Sequence, residues 1–256
     1  MRTLGIDLAS DPEKTAYCMV EWSGGTAEVR ELAVGREGGP LANDDRLLQL
    51  HGQGDVTGID CPFGWPTAFL AFLCAASRPT GEPIQQHQRP YRELRYRATD
   101  LAVHRVVGRW PLSVSSDLIA VAAFRCQGLL TRMGLTDRSG DGRVYEVYPA
   151  AALEVWGLVS KRYKGGHGRP QREALVAQLL ERAEWLMVDQ KSREQLASSD
   201  DALDALVDAL NARAAKLGLT VRPEADEHRA AVREGWIAIP EKESLGKLVG
   251  PAMPRT

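Results

Sequence analysis

The sequence predicts a mixed α/β fold: a sheet begun by antiparallel hairpins and completed by parallel crossovers, with helices on both faces. Three observations predict it. Three strand-like segments joined by short turns open the chain; a second buried-type strand follows only after a helical segment; and the remainder is mostly helical, with one short alternating run.

Thr3 to Leu8 is a continuous apolar run interrupted by one Gly, which reads as a central strand ending near an aspartate, Asp7. "TAYCMVEW" (Thr15 to Trp22) and "TAEVRELAV" (Thr26 to Val34) alternate around the turn Ser23 to Gly25. Leu41 to Gln53 has helical spacing, and Asp55 to Pro66 holds a strand that again stops at an aspartate, Asp60. Thr67 to Ala76 and Asp117 to Gly134 read as helices, with a polar, arginine-rich stretch between them. Arg143 to Pro149 alternates with period two and is broken by its proline. Arg172 to Leu186 and Ser199 to Gly218 read as helices, and Glu234 to Pro240 as a short last strand or turn. One domain over residues 1–240 and a polar tail over 241–256 is the simplest division. The Asp137 to Gly142 and Lys161 to Pro170 loops are surface excursions.

With 256 residues, 44% hydrophobic and 26% charged, the chain is an ordinary globular one that can bury a substantial core. A net charge of -2 argues against gripping nucleic acid by overall charge, but leaves room for a local basic groove. Cys18, Cys61, Cys74 and Cys126 have no paired spacing for zinc or a redox dithiol, so a reduced, cytoplasmic setting is expected. Met1 leads straight into the first strand and every apolar run is short, so neither a signal peptide nor a membrane partner is expected.

The acids carry the chemistry. Parallel neighbours bring their C-terminal ends to one edge of a sheet, so Asp7 and Asp60 are expected side by side. Two such carboxylates repel and raise each other's pKa unless a cation sits between them. The last long helix adds Asp200, Asp201, Asp204 and Asp208, of which residues 201, 204 and 208 share a face. Converging oxygens of this kind suit Mg²⁺ or Mn²⁺. Plainer roles compete: Asp7 and Asp60 as turn acceptors, Ser198 with Asp201 as a capping pair, Asp208 as a solvent-exposed charge. Glu146 shares a strand face with Val144 and Tyr148, an apolar setting that points to a functional role.

In order along the chain, "GIDLAS", "IDCPFGWP", "YRATD", "YEVYPAAAL", "YKGG", "DDALDALVDALNAR" and "EGWIAIP" resemble the domain of unknown function 429 family. The resemblance runs from Gly5 to Pro240. It implies an RNase H-like fold, here a five-stranded mixed sheet with extra helical insertions, and a predicted nuclease activity. That fold places one acid on the first strand, one on the fourth and others on a late helix. Asp7, Asp60 and Asp204 match those places, with Asp201 or Glu146 as fourth ligand. The implied chemistry is phosphodiester hydrolysis with two Mg²⁺ or Mn²⁺ ions about 4 Å apart. Asp7 would bridge both ions, and Asp60 and Asp204 would each hold one.

A nucleic-acid substrate, DNA or RNA, needs cationic partners. Arg89, Arg92, Arg95 and Arg97 with Tyr91 and Tyr96, and then Lys161, Arg162, Lys164, Arg169 and Arg172, form two basic stretches. Arg97, Asp100 and Lys164 lie in family-like motifs and are the first choices for substrate contact. Arg97 and Asp100, three apart, could equally form an ion pair within a helix. The five histidines have no metal-ligand spacing, and the serines form no nucleophile elbow. Two other readings stand beside the nuclease. One is a sugar-kinase or actin-like ATPase, disfavoured because Ala9-Ser10-Asp11-Pro12 is no glycine-rich phosphate loop; the other is a non-catalytic binding module.

Overall fold

The structure, a computed structural model, describes residues 1–35, 42–77 and 90–250; Leu41, His87, Arg89 and residues 251–256 of the expected tail lie outside them. Strands β1 (Arg2–Asp7), β2 (Ala16–Ser23) and β3 (Thr26–Val34) form the expected antiparallel meander. Helix α1 (Asp44–Gln53), capped by the Asn43 side chain on the Arg46 amide, returns the chain to β4 (Val56–Asp60), parallel to β1. Strand β5 (Val144–Glu146) then pairs parallel to β4. A sixth strand, β6 (Leu186–Met187), pairs parallel to β3, giving the order β5-β4-β1-β2-β3-β6. The sequence reading counts five strands because two residues show no alternation, and these end a stretch with helical spacing.

Alternation sorts the sheet's residues between two layers. Leu4, Ile6, Tyr17, Met19 and Ile59 face α1 and α5 (Ile119–Arg132), which contribute Leu47, Leu50, Ala123, Cys126 and Leu129. The opposite face presents Ala16, Cys18, Val20 and Trp22 to a layer of helices. That layer comprises α6 (Pro149–Val155), α7 (Arg169–Arg182), α8 (Gln190–Ser198) and α9 (Asp200–Lys216). Helices α2 (Thr67–Ala76), α3 (Arg92–Arg95), α4 (Ala98–Val107) and α10 (His228–Glu234) complete the fold.

Helix α9 sits unusually deep, and two glycines allow it. Gly5 and Gly58 are register partners on its face of the sheet. A β-carbon on Gly5 would lie 2.0 Å from the Ala205 carbonyl oxygen, and one on Gly58 would lie 2.8 Å from that of Asp208. Every residue from Ala202 to Ala212 is buried as a result. "EGWIAIP" makes no strand: its Glu234 ends α10, and the rest leaves only bridges, Ile237 to Glu146 and Pro240 to Thr220. Beyond Pro240, Leu245 and Leu248 are buried in the α9-side core, and Ser244 accepts the Trp156 indole hydrogen. None of the described helices is long and apolar enough to cross a membrane.

Candidate active site

Asp7 and Asp60 are direct partners across the parallel pair β1–β4. Each lies two residues beyond a glycine that contacts α9, so both carboxylates leave the sheet on the α9 side. Both are half-buried and line one cleft of about 640 Å³. Burial pushes Asp60 up to about 7, with Asp204 and Glu146 adding to the shift and the Lys164 ammonium opposing it. Asp7 is raised well above the ordinary carboxylate range, first by burial and then by Asp204 and Asp60.

Helix α9 brings the other acids. Its cap is Ser199, whose side chain accepts the Ala202 amide, so the capping residue is one later than the sequence pattern suggests. Asp204 is buried: its Oδ1 accepts the Tyr163 hydroxyl at 2.8 Å, and Lys164 Nζ sits 2.7 Å from its Oδ2. Burial raises its pKa, against Lys164 and Tyr163. Asp201 is half-buried, near enough to Asp7 to raise its pKa. Asp208 corrects the expectation of solvent exposure: it is fully buried, and neither carboxylate oxygen has a hydrogen-bond partner among the described residues. Burial, and then Asp60, Asp7 and Asp204, push it well above the usual range. The sunken helix is the reason, because its outer acids have become inner ones.

The Lys161–Gly168 loop forms the facing wall. Lys161, Arg162, Tyr163 and Lys164 all line the cleft, joined by Arg109. Arg162 adopts φ 61, a left-handed backbone that costs a non-glycine residue about 1–2 kcal/mol. Arg172 is not a phosphate ligand here. It is buried and donates to the carbonyls of Tyr163, Gly165, Ala197 and Ser198, clamping the loop to the end of α8. The Gly165 amide donates to Asp200. Burial opposes the Lys164 charge, but Asp204 holds that ammonium well above its ordinary range.

Three expected site residues, Glu146, Arg97 and Asp100, form an ion-pair cluster, and Glu146 and Arg97 border the same cleft. Glu146 pairs in register with Ile59, which places it on the face opposite Asp7 and Asp60. Its Oε1 and Oε2 accept from Arg97 Nη2 and Nη1 at 2.8 and 2.9 Å, and Oε2 also accepts the Phe63 amide. Arg97 reaches Asp100 through Nε and Nη2, and the Glu234 carbonyl through Nη1. All three side chains are buried and joined in one ion-pair network, so Arg97 and Asp100 form the internal pair their spacing allows and Glu146 is counter-ion to Arg97. Strand parity is the reason for Glu146. Arg97 borders the cleft floor but has its guanidinium fully engaged.

Among the described residues, no three His, Cys, Asp or Glu side chains converge closely enough to hold a metal ion. The donor chemistry nevertheless fits a hard divalent cation. Asp7 and Asp60 present carboxylate oxygens to the cleft, the acids outnumber their single shared ammonium, and Asp208 carries orphaned oxygens. Asp204 is engaged by Tyr163 and Lys164. Sequence reasoning missed Tyr163, Arg109 and the clamp role of Arg172. The clue to Tyr163 was its place beside Lys164 in "YKGG".

A family model described as "Protein of unknown function (DUF429)" matches residues 5–228. No curated protein matches the chain.

Proposed function

We propose that this chain, which belongs to the DUF429 family, is a metal-dependent nuclease of RNase H-like architecture that hydrolyses phosphodiester bonds in DNA or RNA. One observation carries the reading. Two aspartates in exact parallel register end the first and fourth strands, and both open into a cleft whose facing wall is cationic. An acid on a late helix, Asp204, is near enough to both to raise their pKa values.

Asp7, Asp60 and Asp204 are the residues that would hold Mg²⁺ or Mn²⁺, which when bound supplies an activated water and stabilises charge on the phosphoryl and leaving oxygens. Arg109, Lys161 and Arg162 contact the phosphates and set the strand's register in the cleft. Tyr163 fixes one oxygen of Asp204 and so orients its carboxylate. Leu112 and Ile119 give the cleft an apolar wall that excludes water from one side of the strand.

The test is cleavage of labelled single- and double-stranded DNA and RNA in Mn²⁺, by the wild-type chain and by Asp7→Asn and Asp60→Asn. Wild-type cleavage that both variants lose supports the reading; full activity in the variants, or none in the wild type, overturns it. A second reading, a nucleic-acid-binding member of the fold without catalysis, draws on the ion pair between Lys164 and Asp204. It predicts oligonucleotide binding without turnover.

A further inference from the structure

We infer that Lys164 and a divalent cation are alternative occupants of the acidic pocket, so that cation binding releases Lys164 from Asp204 into the cleft. The inference rests on the metal reading above and names what that site exchanges. Among the described residues, Lys164 is a positive charge that acts on all four acids, Asp7, Asp60, Asp204 and Asp208. Its ammonium stands 2.7 Å from Asp204 Oδ2, on the oxygen that Tyr163 leaves free. A cation ligated by Asp204 together with Asp7 and Asp60 would meet that ammonium directly, and two positive charges do not share one carboxylate oxygen at contact distance.

The geometry lets the lysine leave without unfolding anything. Its side chain is 56% exposed although its ammonium reaches the buried Asp204. Tyr163 is buried, and Arg172 holds the carbonyls of Tyr163 and Gly165 on either side of Lys164. The backbone therefore stays in place while the side chain turns. Its new neighbours are Lys161 and Arg162, which line the same cleft. A Lys164 freed from Asp204 turns its uncompensated charge toward the substrate beside Lys161 and Arg162, so metal and substrate phosphate each strengthen the other's binding. Linkage makes the effect reciprocal.

The test uses Mn²⁺ alone, titrated by calorimetry against the full chain and its Lys164→Met variant. The variant is expected to bind Mn²⁺ about tenfold more tightly, within the range of ordinary coupling between sites. Equal or weaker binding by the variant overturns the exchange while leaving the metal reading standing. Absence of Mn²⁺ binding by both overturns the two together. A measurement on the wild-type chain guards against a variant that does not fold: acetylation of Lys164 by an N-hydroxysuccinimide ester, followed by mass spectrometry. Mn²⁺ is expected to accelerate labelling several-fold as the amine enters the cleft; an unchanged or slower rate overturns the inference.

Discussion

Gly5 on β1 and Gly58 on β4 are register partners, and the backbone of α9 lies directly on both. This contact sets the height of Asp204 above Asp7 and Asp60, since the glycines and the strand acids share one face two residues apart. The distance between helix and sheet is therefore part of the site.

Gly5→Ala is expected to cost at least about 3 kcal/mol, because its new carbon would meet helix backbone at 2.0 and 2.3 Å. Gly58→Ala, with its nearest contact at 2.8 Å, should cost about 1–3 kcal/mol. Urea unfolding gives both values. A folded Gly58→Ala chain with weakened Mn²⁺ binding would show that raising the helix opens the acid cluster.

Stability should depend on pH with an unusual sign. Asp60 titrates near 7 in the folded chain against 3.8 ordinarily, and Asp7, Asp204 and Asp208 are raised as well. Between these limits the folded chain holds protons that the unfolded chain has released. Stability is then full below about 4 and falls as pH rises through 7. Thermal melts in EDTA from pH 4.5 to 8 should show the decline. Asp60→Asn should flatten it and melt higher than wild type at pH 8.

Arg97→Met leaves Asp100 and Glu146 as uncompensated buried charges and is expected to cost about 3–5 kcal/mol. Glu146→Gln should be milder, because the remaining Arg97–Asp100 pair is itself neutral in sum. Denaturant titration separates the two. Oligonucleotide affinity of the folded Glu146→Gln chain should match wild type, since Glu146 is counter-ion to Arg97.

Arg162→Gly should move stability and binding in opposite directions. Relief of its left-handed backbone is expected to add up to about 1 kcal/mol, while loss of the cation lowers affinity for a single-stranded oligonucleotide. The slope of log affinity against log salt should fall by about 1. Melting and fluorescence anisotropy across a salt series read both changes.

How far the sequence discloses this molecule depends on the range of the interaction involved. Asp7 and Asp60 are legible because each closes the same local pattern, Gly-Ile-Asp, at the end of a strand, and parallel pairing does the rest. The helical spacing of α9 is legible too, but the burial of Asp208 is not. That burial depends on glycines about 150 and 200 residues earlier. Charge patterning cannot tell the buried Arg97 from the exposed Arg162, since both sit in basic, tyrosine-containing stretches. The parity that turns Glu146 away from Asp60 requires the β4–β5 register, which no local pattern carries.

The Arg97 cluster draws on positions 63, 97, 146 and 234, and the last of these follows β5 by a long stretch of chain. Synthesis runs from the N-terminus, so strands β1 to β5 leave the ribosome well before the Glu234 carbonyl exists to receive Arg97. Gly235, at φ 96, then closes against Glu146 where any side chain would collide with its carboxylate. The part of the cleft beside Glu146 thus waits on a segment made well after β5. A nascent chain that has released β5 carries the two strand aspartates before the Arg97 cluster around them has closed.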